Sequence, residues 1–147
     1  MSRFLSGTLL AGMIPAAVGA ASATSLDGSA PLLCALRAAM ECSASAECRP
    51  VAPEDVGAPD FFLVDIAGKS VTSQAYPERV SAIQMVGQID GATVLQGFDD
   101  GIEGVRDGLA WSVAIADDSG RFVLSASGDQ VAFVVFGACT AAAVSSQ

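Results

Sequence analysis

From residue 53 onward the chain is a series of short apolar runs, each closed by turn-forming residues. FFLVDIA (61–67), SVTS (70–73), RVSAIQMVGQ (79–88), ATVLQGF (92–98), LAWSVAIA (109–116), RFVLSAS (121–127) and VAFVVFGA (131–138) are rich in β-branched and aromatic residues. Several alternate with a period of two, as half-buried strands must. Leu109, Trp111, Val113 and Ile115 share one face of their run, and Ala110, Ser112 and Ala114 share the other. Asp90-Gly91 suits a two-residue type I′ hairpin, and Asp117-Asp118-Ser119-Gly120 suits a type I turn with glycine in the left-handed position. The last run is apolar on both faces, which fits a central strand better than an edge.

Upstream the period changes. Leu32, Leu36 and Met40, with Ala35 and Ala39, recur at helical spacing. This predicts an α-helix over about 30–42, capped by Asp27 or Ser29, started by Pro31 and carrying an Arg37–Glu41 pair on its polar side. Six or seven strands in tight antiparallel succession describe a meander, whose apolar face must be covered. The expected fold is mainly β: an antiparallel meander or small lipocalin-like barrel, with the N-terminal helix bracing one end.

The first 23 residues read as a secretory leader. Arg3 is the basic n-region, Leu5 to Val18 is apolar and uncharged, and Ala21-Ser22-Ala23 is an A-x-A cleavage site. A second cut could follow Ala20. The run contains Pro15 and is shorter than the roughly 20 apolar residues of a spanning helix, which argues against an anchor. Cys34 follows Leu33 and lies far from the leader, which argues against a lipoprotein. Residues 24–147 are then one domain in the periplasm or secreted medium, with no membrane span, and its expected state is monomeric.

Export bears directly on the four cysteines, because an oxidising compartment favours disulfides over thiolate metal sites, and no C-x-x-C pair occurs. On a helix, Cys34 and Cys42 would be about 12 Å apart in rise and could not bond. Two pairings remain open: Cys34–Cys139 with Cys42–Cys48, or Cys34–Cys48 with Cys42–Cys139. The first is preferred because C-SASAE-C is a short, flexible loop.

Composition removes several functions. The 147 residues carry a net charge of −9 and no histidine. Nucleic-acid binding needs clustered Lys and Arg, and Ser-His-Asp, Cys-His and His-ligated metal chemistry need a residue that is missing. Loss of Arg3 with the leader takes the charge to −10. The most charged segment holds Asp99, Asp100, Glu103 and Asp107. It lacks the EF-hand spacing, so it reads as a recognition loop rather than a calcium site. Trp111 is the single tryptophan and is expected in the core. If the barrel is hollow, Leu109, Trp111 and Val113 would line its cavity. Tyr76 sits in the loop QAYPE as a contact residue. Neither Ser112 nor Ser125 has an activating partner nearby.

LCALRAAMEC, APDFFLVDIAGKSVT and the block GLAWSVAIADDSGRFVLSASGDQVAFVVFGACT together resemble a group of small exported proteobacterial proteins of unassigned function. The shared features are W-S between strands, a final F-x-x-F-G-x-C-T and an early cysteine-bearing helix. The resemblance implies export and an all-β core, and carries no activity, cofactor or site residues. The function expected is a non-enzymatic binding or interaction module without a cofactor. Its partner would be a small apolar ligand or an envelope protein. The alternatives are an inhibitor of a secreted enzyme and a hydrolase using paired carboxylates.

Overall fold

The computed structural model describes residues 26–101 and 103–142, so the leader and its cleavage sites lie outside the described residues. The described residues form nine strands: β1 (Leu32–Ser43), β2 (Ala46–Val51), β3 (Phe61–Asp65), β4 (Ser70–Ser73), β5 (Val80–Ile89), β6 (Ala92–Asp99), β7 (Leu109–Ala116), β8 (Arg121–Ser127) and β9 (Val131–Ala141). A short 3-10 turn, Pro53–Val56, precedes β3. From β3 to β9 each strand pairs antiparallel with the next, and β9 returns to β1 along nearly its whole length. Because β1 also pairs with β3, eight strands close into an antiparallel barrel, with β2 folded back as a hairpin on the far half of β1. Among the described residues no helix is long and apolar enough to cross a membrane.

The helix expected over 30–42 is absent, and that segment is β1, the strand that closes the ring. Leu32, Cys34 and Leu36 alternate inward, and a bulge between Leu36 and Ala38 advances the register so that Ala39, and not Ala38, is buried. A two-residue period interrupted by one extra residue places apolar residues at 32, 36 and 39, which also matches the spacing of a helical stripe. Pairing on both edges overrides the helical preference of the alanines. Glu41 accordingly pairs across the hairpin with Arg49 at 2.8 Å, not with Arg37. Asp27 accepts from the backbone N–H of Ser29 instead of capping a helix.

The barrel interior is divided. One half is solid, packed by Leu32, Val64, Ile83, Leu95, Ile115 and Phe122 around the Cys34–Cys139 bond. This end is sealed by tight turns in which Lys69, Asp90, Gly91 and Gly120 take left-handed backbone angles, as the Asp90-Gly91 and DDSG signals predict. Leu26 and Ile66 pack against the same core, so the segment before β1 covers the closed end that the helix was expected to brace. The buried Thr93 hydroxyl lies 2.7 Å from Gln88 and 2.9 Å from Asp117, which satisfies the polar group that β6 carries into this end.

Two inward glycines fit the wall to its large side chains. Gly137 lies opposite Phe122 and Gly97 opposite Trp111. A Cβ at either position would overlap the facing ring and a backbone carbonyl, that of Ala35 or Ala82. Each ring therefore occupies the space that a side chain at the glycine would fill. Phe122 also meets Phe62 edge-on at 5.6 Å.

The second disulfide joins Cys42 to Cys48 within the β1–β2 hairpin, while the first spans 105 residues. In the chain-entropy model a loop of that length contributes nearly 5 kcal/mol, and the short loop about 2 kcal/mol. The Cys34→Ala/Cys139→Ala variant should therefore lose about twice the unfolding free energy of Cys42→Ala/Cys48→Ala in denaturant titrations. Gly137→Val should cost about 2–3 kcal/mol through overpacking. At Gly87 a Cβ meets nothing within 4 Å, so Gly87→Val should change stability by less than about 0.5 kcal/mol in the same assay.

Candidate functional site

The other half of the barrel is hollow. A cavity of about 610 Å³ opens where the β4–β5, β6–β7 and β8–β9 connections meet, beside the segment leading into β3. Inward alternation explains its walls. Phe62 and Val64 on β3, Val71 on β4, Trp111 and Val113 on β7, Leu124 and Ala126 on β8, and Phe133 and Val135 on β9 all point to the axis and line it. The upper part stays open because β4 contributes Thr72 and Ser73, β5 contributes Ser81, and Ala126 near the end of β8 is followed by Gly128, while Leu109 and Phe133 line the remaining wall. The volume lies within the range of sites that take small organic ligands.

Polar groups are confined to the mouth. Asp99, the last residue of β6, sits next to the start of β5 and gathers three donors. The Arg79 guanidinium donates at 2.9 Å, the Ser81 hydroxyl at 3.1 Å and the Gly101 backbone N–H at 2.9 Å. Partial burial disfavours the charged carboxylate, but the Gly101, Arg79 and Ser81 hydrogen bonds and the Arg79 charge outweigh it and hold its pKa below the ordinary value. Gly101 has φ 70°, which turns its N–H back onto Asp99. The side chain of Asp107 lies against Gly101 and narrows the neck of this loop. Across the mouth, Arg106 reaches Asp129 in the β8–β9 turn at 3.6 Å. Tyr76, half exposed, completes the rim.

The residues singled out from sequence divide between wall and rim. Leu109, Trp111 and Val113 all line the cavity, Trp111 half-buried rather than fully enclosed. Of the four acids in the 99–107 segment, Asp99 and Asp107 line the mouth, while Asp100 and Glu103 are exposed and outside the lining. Among the described residues no group of three or more carboxylates or thiols converges in a way that could hold a metal ion. Arg79, Ser81, Arg106 and Asp129 were not singled out in advance. The alternation of R-V-S-A-I already puts Arg79, Ser81 and Ile83 on one face. Only ring closure shows that this face looks into a cavity.

Because Asp99 has a lowered pKa, its contribution to stability is present above the ordinary aspartate pKa and is lost as pH falls through the folded value. Asp99→Asn should cost about 1 kcal/mol at pH 7, given the group's partial exposure. The difference from the parent should shrink steadily below about pH 4, read from urea midpoints at each pH.

No family model matches this chain, and no curated protein or solved structure matches it significantly.

Proposed function

We propose that the protein is a non-enzymatic carrier or sensor that takes a small, largely apolar ligand into the hollow half of its barrel, in the manner of a lipocalin. The observation that carries this reading is the division of the interior: one end is packed solid, and the other is an apolar cup of about 610 Å³ with polar groups only at its lip. Packed interiors hold few voids larger than a water molecule, so a cavity of this size is a departure that function explains. The leader read from sequence and the two disulfides fit work in an oxidising compartment, the periplasm or the secreted medium. The tie to the small exported proteobacterial proteins rests on the sequence blocks alone.

Trp111 is the sole tryptophan and lies in the cup wall, so its emission reports occupancy. Titration with the neutral dye N-phenyl-1-naphthylamine should quench Trp111 emission and brighten the dye, with saturation at one dye per chain. Ala126→Phe and Val71→Phe each place a ring in the cup and should weaken binding at least tenfold. Their far-ultraviolet circular dichroism should match the parent. A parent protein that leaves the dye unchanged would refute the carrier reading.

A further inference from the structure

The rim specifies the polar end of the ligand. Five charged side chains line the mouth, and they are arranged as opposite neighbours: Arg79 against Asp99 at 2.9 Å, and Arg106 against Asp129 at 3.6 Å, with Asp107 folded onto Gly101. At either ion pair a bound ion would meet a like charge beside the unlike one, and would lose its hydration without gaining an uncommitted counter-charge there. The chain carries −9 overall and the mouth has three carboxylates against two guanidiniums, so the field repels an anion and draws a cation toward the mouth, where the cation must still displace the Arg79 guanidinium to reach Asp99. An uncharged group that both donates and accepts is matched by the same array: a guanidinium donates to its oxygen, a carboxylate accepts from its hydroxyl, and Ser81 can do either. Below the rim the walls are hydrocarbon and aromatic, suited to an unbranched or isoprenoid chain.

We infer that the ligand is an uncharged amphiphile, an apolar chain ending in a hydroxyl-bearing head held at the Arg79–Asp99 side of the mouth. This rests on the carrier reading above, and the test separates the two. Dodecan-1-ol, dodecanoate and dodecyltrimethylammonium share one chain and differ in the head. Each is used at concentrations below micelle formation to displace N-phenyl-1-naphthylamine from the oxidised, full-length mature protein at pH 7.5. The alcohol should displace the dye at a concentration at least tenfold lower than either ion. The paired change Arg79→Leu/Asp99→Leu should raise the dissociation constant for dodecan-1-ol at least fivefold and leave that for the dye within twofold. Equal or tighter displacement by either ion overturns the head-group assignment while the carrier reading stands, as does a paired variant that binds the alcohol as well as the parent does. A protein that binds neither dye nor alcohol overturns both.

Discussion

Everything in this structure depends on the return of the last strand to the first. An open sheet of seven meander strands would expose two edges and one apolar face, and it would have no inside. β1 pairs antiparallel with β9 from Leu32–Ala141 to Ser43–Val131 and with β3 over Leu32–Ala35, so it covers both edges of the meander and turns alternation along each strand into an interior and an exterior. The Cys34–Cys139 bond sits at directly opposed residues of that seam. The strand doing the closing is built from LLCALRAAMECS, a segment with weak β preference on its own. It is held by neighbours on both edges instead of by propensity.

Closure alone would give a filled barrel, since eight strands leave an interior just wide enough for side chains or one small ligand. Side-chain size decides between these outcomes here. Toward the tight turns the inward positions are Leu, Ile and Phe, with Gly137 admitting the Phe122 ring. Toward the long loops the small Ser81, Ala126 and Gly128 interrupt the larger Leu109, Trp111 and Phe133, and the space stays open. Gly97 and Trp111 mark the transition, where one wall side chain is reduced to nothing so that the indole can lie along the cup. The rim charges are not isolated from one another, which lets a mouth with five ionic groups coexist with an apolar interior.

Much of this was legible in the residues themselves. Strand positions from β3 to β9, the Asp90-Gly91 and Gly120 turns, the central placement of the final strand and the shared face of Leu109, Trp111 and Val113 all follow from local chemistry. The first strand was not legible, because one bulge at Arg37 disguises a two-residue period as a helical one. The partners of Asp99 were hidden for a different reason. Arg79 and Ser81 lie about twenty positions upstream and meet Asp99 only through the β5–β6 register, which itself shifts at Ile83/Met85. Hydrophobic pattern specifies which way a side chain points, and closure specifies what it points at.

The seam bond has one more consequence. Any single backbone cleavage between residues 49 and 138 leaves two pieces that remain covalently joined through Cys34 and Cys139, with the strand order around the ring unchanged. A protease that clips the exposed mouth loops would thus separate neither half from the other, and the two could anneal again as an intramolecular event. Covalent release of a fragment from this span then needs either a second cut or reduction of the Cys34–Cys139 bond.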